Sequence, residues 1–356
     1  MIPIILIFSH VLSAQILFYP LLLIGGLIMS PFEKFKIKMP LSGINLYFFL
    51  FYVFFLVTII CFDLYRGASW SLIIWNVRFF YGIGFVVLCF RLVNNLHIGR
   101  TFFWVLTALT LYEAVSLNLL NAYPFYWAYS GYEANFLVAR ANNAGFFQIL
   151  GPALNSSISG TLHVVILFIM LQNLNNTHGL KLTSDKALIF LSLICIFLAS
   201  STVAYAVFMI GALLNIKDFI KKNLKYLIMF IFLFVFLQLI FPEKTEIDFG
   251  PAIKVIFHKY YSLTESYKIT ESIFGWQSLA NLNSIGVGGD FMFLAQFLLN
   301  GFFPVALFIC VLYFLTPSSS KIFLILGIIS TLHYGALYTL LGQLFFGAII
   351  ANKLKL

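Results

Sequence analysis

The chain has 356 residues, of which 62% are hydrophobic and 9% charged, with a formal net charge of +9. Soluble domains carry roughly 25% charged residues, so this composition excludes a soluble globular enzyme and predicts an all-α, polytopic integral membrane protein. The positive charge does not imply nucleic acid, because in membrane proteins Lys and Arg gather in cytoplasmic loops and set the orientation. Cys61, Cys89, Cys195 and Cys310 fall in or beside apolar spans without paired spacing, which predicts neither a disulfide framework nor a zinc site.

Residues 2–29 are apolar, with His10 and Pro20 inside, and lack the basic n-region of a cleaved signal peptide, so the segment reads as retained. Lys34, Lys36 and Lys38 follow on the side read as cytoplasmic. Spans are predicted at about 43–62, 71–90 and 101–121, joined through Asp63 and Arg66 outside and Arg91 and Arg100 inside. A first long external loop follows at about 122–152, and a span at about 153–172 returns to Lys181 and Lys186.

The apolar run 187–214 is basic at both ends, since Lys217, Lys221, Lys222 and Lys225 follow it. Both ends then belong on the cytoplasmic side, which requires a hairpin with Ser200, Ser201 and Thr202 at its outer tip. The same argument applies to 322–351, between Lys321 and Lys353 with Lys355, the turn falling at Thr331 to Gly335. Each leg has about 14 residues, or roughly 21 Å against a hydrocarbon core of roughly 30 Å. Such short legs are tolerated where their turns face a water-filled cavity inside the protein.

Extending the hairpin reading to 2–29 and adding spans at about 226–241 and 290–314 gives about 12 transmembrane helices with both termini inside. Two long external (periplasmic) loops result, at about 122–152 and 242–289, on a single transmembrane domain covering residues 1–356. In this arrangement 14 Lys and Arg lie in cytoplasmic segments and six outside, and Arg78 lies within a span. Reading every long run as one tilted helix lowers the count to nine spans.

Arg140 is the last arginine of the chain, and ten residues separate it from Gly151. Its position outside runs against the charge bias, and a guanidinium fork suits bidentate binding of phosphate oxygens. An arginine that snorkels to lipid headgroups is the plainer account. Arg78 and Glu113 are the charges placed most clearly inside spans, about 10 and 12 Å below the outer ends by the helical rise. Equal depth on consecutive spans predicts a mutual ion pair, with substrate or proton handling as the other reading. His163, near mid-span, reads as a hydrogen-bonded core residue.

In the second loop Lys254, His258 and Tyr261 follow helical spacing, so one face is basic and aromatic, fit for a sugar with an anionic group or for a plain interfacial helix. Lys259, Glu271 and Trp276 accompany them. Asp290 opens the next span after Gly286, Gly288 and Gly289, as a helix cap or as a base at a cavity mouth. No zinc motif, phosphate-cradling loop or dinucleotide fingerprint is present.

Arg140 with Gly151, the hairpin tip at Ser200, Ser201 and Thr202, and Gly289 with Asp290 leading into Phe291 to Leu294 make the chain resemble the Wzy-type O-antigen and capsular polysaccharide polymerases. That resemblance covers the whole chain in architecture and a few positions in motif. It implies a metal-independent glycosyltransferase, without cofactor, in the bacterial inner membrane. Such an enzyme moves a growing glycan from undecaprenyl diphosphate onto a new lipid-linked repeat unit at the outer face. Donor and acceptor lipid-linked glycans, membrane lipid and a chain-length regulator are the partners it implies, and no nucleic acid. Arg140, Arg66, Lys254 and Lys259 are then expected to hold the pyrophosphate, with Tyr261 and Gly151 in binding positions. Asp290, His258 or Glu271 is expected to take the acceptor's proton, the choice among them being open. The sister O-antigen ligases carry histidine and asparagine where Gly289 and Asp290 stand, which favours polymerase over ligase. The second loop has no arginine, so a second Arg-to-Gly motif of some members is missing and lysines stand in. The rival class is a lipid-linked oligosaccharide flippase or other polytopic transporter, against which stands the lack of a half-to-half repeat.

Overall fold

Where water is absent, a backbone must close its own hydrogen bonds, and this chain does so with helices. The computed structural model describes residues 2–11, 18–22, 43–93, 96–120, 149–174, 180–214, 292–331 and 335–356. After α1 (Ile2–Val11) and a short helix at 18–22 comes α2 (Ile44–Tyr65). The next span is built from α3 (Trp70–Asn76), a π-helical segment (Val77–Tyr81) and α4 (Gly82–Leu92). Then follow α5 (Arg100–Leu119), α6 (Ser156–Asn173), α7 (Leu180–Ala199) and α8 (Thr202–Leu214). The C-terminal part holds α9 (Met292–Asn300), α10 (Phe302–Leu315), α11 (Lys321–Ser330) and α12 (Leu340–Ile350). A two-residue parallel ladder joins β1 (Ile98–Gly99) to β2 (Leu354–Lys355).

Among the described residues five helices are long and apolar enough to cross a membrane: Ile44–Tyr65, Trp70–Leu92, Arg100–Leu119, Ser156–Asn173 and Lys181–Ala199. A sixth results if Phe302–Leu315 and Ser318–Ser330, bent by 118°, are taken as one span. The chain is thus a mostly helical, polytopic membrane protein. The span expected at 226–241, the second external loop and nearly all of the first lie outside the described residues.

Two polar ends frame the bundle. At one end Arg91 donates to Asn45 Oδ1 and to the Leu315 carbonyl, each at 3.0 Å. Arg100 makes a bidentate pair with Asp185 at 2.7 and 3.0 Å, and Ile98 N donates to the Lys353 carbonyl at 2.9 Å. The lysines expected on the cytoplasmic side, Lys181, Lys186, Lys321, Lys353 and Lys355, all belong to segments that meet here. At the opposite end Arg66 donates to the Leu299 carbonyl at 2.8 Å, and Asn76 pairs with Asn300. The described helices therefore alternate in direction between a basic end and a second, less basic one.

The predicted reversal in 187–214 is present. Ser200 takes a positive φ of 43°, and a side chain at Gly160 of α6 would run into both Ala199 and Ala204. Eight residues further along α6, Phe168 stacks on Phe208 of α8. So α8 runs back alongside α6, opposite to α7. The tip is packed rather than projecting, because Ser201 is buried and donates to Ser157 Oγ at 2.9 Å.

Two expectations need correction. The stretch 290–314 is not one span, since Gly301 (φ 88°) separates α9 from α10. Phe293 and Gln296 line one cavity together with Phe308, Ile309 and Leu312. In a continuous helix these positions would stand roughly 18–29 Å apart, so α9 lies beside α10 instead of extending it. The second correction is the depth of the turn between α11 and α12. Its Tyr338 ring sits 5.6 and 5.1 Å from Phe79 and Phe80, in the middle of the Trp70–Leu92 span, so the turn stops at mid-depth and misses the outer end. The two legs are short for this reason, at 10 and 11 residues.

The π-helical segment explains that depth. A π turn takes the regular ladder out of register and leaves carbonyls in need of donors. Gln343 Nε2 lies 3.0 Å from the Arg78 carbonyl and 3.1 Å from that of Phe79. Tyr19 donates to Gln343 Oε1 at 2.6 Å and lies 3.2 Å from the Arg78 carbonyl, while Tyr52 donates to the Tyr81 carbonyl at 2.8 Å. Access depends on Gly82, where an added methyl would strike the Tyr19 hydroxyl and come within 2.6 Å of Gln343 Oε1.

Two outcomes test this architecture. In an otherwise cysteine-free chain, Tyr65→Cys (90% exposed) and Lys355→Cys should react with an impermeant thiol reagent from opposite sides of sealed vesicles. Reaction from the same side contradicts the two-ended order. Gln343→Met should lower unfolding stability by about 1–3 kcal/mol by stranding buried carbonyls. Gly82→Ala should lose a similar amount, and the double variant little more than either, as expected of groups sharing one network. Strict additivity in thermal unfolding would show that Gly82 acts elsewhere.

Candidate functional site

The best-defined polar construction at the less basic end is the segment from Ile149 to Asn155, which carries the last residue of the Arg140-to-Gly151 spacing. Gly151 and Leu154 both have positive φ, 67° and 59°, so the backbone curls tightly before α6. Asn155 caps that helix, its side chain accepting from Ser157 N at 3.0 Å and Ile158 N at 3.2 Å. Ser159, one turn in, donates to the Leu150 carbonyl at 2.6 Å and accepts from Ala153 N at 3.3 Å. A Cβ at residue 151 would collide with the Ser159 side chain, so both space and φ require glycine there.

Glu113 holds this curl from below. Its fully buried carboxylate accepts from Leu150 N at 3.1 Å and from Gly151 N at 2.6 Å. One turn earlier on α5, Thr110 Oγ1 donates to the Leu106 carbonyl and lies 3.0 Å from His163 Nε2. The expected histidine contact in the core is thus present, with Thr110 as its partner.

The expected pair between Arg78 and Glu113 is not among the ion pairs of the described residues, which are Arg66–Asp63 and Arg100–Asp185. Equal depth fixes height along the membrane normal but not direction around it. On α5 the Glu113 side faces the start of α6, while Arg78 sits in the π segment against Gln343 and Tyr19.

Arg66 lies at the same end. Its guanidinium donates to the Leu299 carbonyl, stands 4.0 Å from Asp63 Oδ1, and caps the Phe62 ring at 5.7 Å. Partial burial draws its pKa below the usual arginine range and the Asp63 carboxylate pushes it back, so the side chain keeps its charge. Asp63 accepts from Asn76 Nδ2 at 2.8 Å, and the Asn76 and Asn300 amides exchange bonds at 2.9 and 3.2 Å. The cluster ties α2, α3 and α9 together just beneath the less basic end. Sequence reading passed over Asn76 and Asn300; the signal was an amide inside each apolar run.

Arg140, Lys254, His258, Lys259, Tyr261, Glu271 and Asp290 lie outside the described residues. Of the expected site, the structure therefore places Gly151 and Arg66 at one end of the bundle, with Glu113 beneath Gly151. Among the described residues no group of three His, Cys, Asp or Glu side chains is arranged to hold a metal ion.

The fold and this construction define the class: a polytopic helical membrane protein with an anchored polar loop end at one face. Beyond the class, comparison with protein-family models, characterised proteins and solved structures gives no match.

Glu113→Leu should leave two buried N–H groups unpaired, at about 1–3 kcal/mol each, whereas Glu113→Gln keeps one acceptor oxygen and should cost less. Gly151→Ala should be destabilising by about 1–3 kcal/mol from the φ alone. Thermal unfolding in detergent reads all three, and a Glu113→Leu chain as stable as the native one would contradict the anchoring.

Proposed function

We propose that the protein is an integral-membrane glycosyltransferase that polymerises undecaprenyl-diphosphate-linked oligosaccharide repeats at the outer face of a bacterial inner membrane. The supporting observation is the treatment of Gly151. A buried carboxylate, a serine and a positive φ all converge on the glycine that ends the Arg140 spacing. Arg66, at the same end, adds a cation.

In this reading the acceptor hydroxyl oxygen attacks the anomeric carbon of the donor, and the bond from that carbon to the diphosphate oxygen breaks. Arg140, Arg66, Lys254 and Lys259 stabilise charge developing on the leaving diphosphate. Asp290, His258 or Glu271 takes the hydroxyl proton. Tyr261 offers a face for the sugar. The polymer grows, and undecaprenyl diphosphate leaves.

One structural feature favours the rival reading, a lipid-linked oligosaccharide flippase. Half-length helices α11 and α12 meeting a π-broken span at mid-depth resemble the discontinuous helices of transporters. The two readings separate on a gel of surface glycan after gene deletion. A single-repeat product supports polymerase, and absence of any repeat supports flippase.

With purified protein and a lipid-diphosphate repeat unit, Arg140→Ala should slow polymer formation roughly ten- to a hundredfold, the worth of one lost charge-assisted hydrogen bond of about 1.5–3 kcal/mol. Arg140→Lys keeps the charge without the fork and should retain part of the rate. A well-folded Arg140→Ala chain working at the native rate would remove Arg140 from the site.

A further inference from the structure

Helices α5 and α7 run parallel in a fixed register. At the basic end Arg100 pairs with Asp185, an offset of 85 residues. At the other end Glu113 accepts from Leu150 N while the Leu198 carbonyl accepts from the adjacent Ile149 N, and Leu198 stands at the same offset from Glu113. Thr107 and Ser192 share that offset too. Each lies two helical turns from its partner in the Arg100–Asp185 pair, so they occupy the same level and matching faces. Both are fully buried, and neither hydroxyl has a hydrogen-bond partner.

The third polar atom comes from α6. With the Thr110 hydroxyl donated to the Leu106 carbonyl, it accepts from His163 Nε2, and the ring hydrogen is assigned to that nitrogen. Nδ1 is then an acceptor, and it too is buried without a partner. Thr110 is one turn beyond Thr107 on the same helix, which brings the imidazole to within about 5 Å of that level along the axis. Two hydroxyls and one ring nitrogen on three neighbouring helices thus lie buried within about one helical turn of one another along the axis, each able to bond and none doing so.

We propose that α5, α6 and α7 enclose an internal water site at mid-span, in which water bridges Thr107 Oγ1, Ser192 Oγ and His163 Nδ1. Buried waters typically make about three hydrogen bonds to polar groups that would otherwise be unpaired, and this site offers three. The hydroxyls donate or accept as required, and the water donates to Nδ1. The bridge gives His163 a protic neighbour about two turns along α5 from the carboxylate that anchors Gly151, and it does not depend on the glycosyltransferase reading.

The test uses the full chain in lipid nanodiscs. X-ray radiolysis turns bound water into hydroxyl radicals that oxidise adjacent side chains, read by mass spectrometry. His163 should be oxidised in the native chain, while Met170, fully buried on the same helix, should stay intact. Absence of oxidation at His163, or oxidation of Met170 to the same extent, overturns the site. Thermal unfolding supplies an independent sign. Thr107→Val keeps the shape and removes a water ligand, so Tm should fall by roughly 2 °C. Were the hydroxyl stranded in a dry gap, the same change would leave Tm unaltered or raise it, and that result rejects the proposal. Thr107→Val combined with Ser192→Ala should lose less than the two single losses together, because both act through the same water. Should the variants fail to fold, labelling of the native chain still decides.

Discussion

A carbonyl without a donor in the membrane interior costs several kcal/mol, and the carbonyls of the π segment Val77–Tyr81 face that cost at mid-span. Much of the C-terminal architecture follows from meeting it. Gln343 must reach Arg78 and Phe79, so α12 must begin at mid-depth and run parallel to α4. Gly347 against Val86 repeats the register of Gln343 against Gly82. The turn before α12 therefore cannot reach the outer end, and α11 is correspondingly short. Tyr19 brings the N-terminal part of the chain into the same network, and Tyr52 brings α2.

The lower half of the bundle is tied by Arg91 and Arg100, and the upper half by amides, hydroxyls, two carboxylates and Arg66. Arg91 and Arg100 lock α2, α4, α10, α5 and α7 at the basic end through short bonds with fixed geometry. At the other end the ties involve main-chain groups of the loops themselves, as with Glu113 on Leu150 and Gly151. The first arrangement fixes where helices stand; the second fixes how a loop leaves them. A binding or catalytic loop gains from the second, because orientation of its residues depends on a stationary end.

Several elements could be read directly from the sequence. Ile44–Tyr65, Trp70–Leu92, Arg100–Leu119 and Ser156–Asn173 match expected spans, because an unbroken apolar run with basic flanks has few other solutions in lipid. The reversal at Ser200 was legible from lysines at both ends of 187–214. The break at Gly301 was not, since one glycine within an apolar run is equally compatible with a packed helix. Nor was the mid-depth turn, which depends on carbonyls freed by a π segment that no local residue pattern announces. The Arg78–Glu113 expectation failed because depth is one coordinate and contact needs direction as well. For the site, Gly151 was legible as the end of a spacing, whereas the role of Glu113 was not, because its partners are main-chain N–H groups 37 and 38 residues away.

The distribution of burial says where function can reside. Only 22% of the most apolar window of α2 is buried, and its outward row of aromatic residues is exposed. Helix α6 is the reverse, with 83% of its window enclosed by neighbours. A helix without a lipid face can carry serine, threonine and histidine at little cost, provided neighbouring helices answer them. The first eight residues of α6 do so: Ser157 meets Ser201, Ser159 meets Leu150 and Ala153, Thr161 bonds the Ser157 carbonyl, and His163 meets Thr110. That polar half points toward the same end as Gly151 and Arg66. The most enclosed of the five span-length helices is therefore also the one that begins with the anchored loop end, so the loop attaches to a helix held by its neighbours.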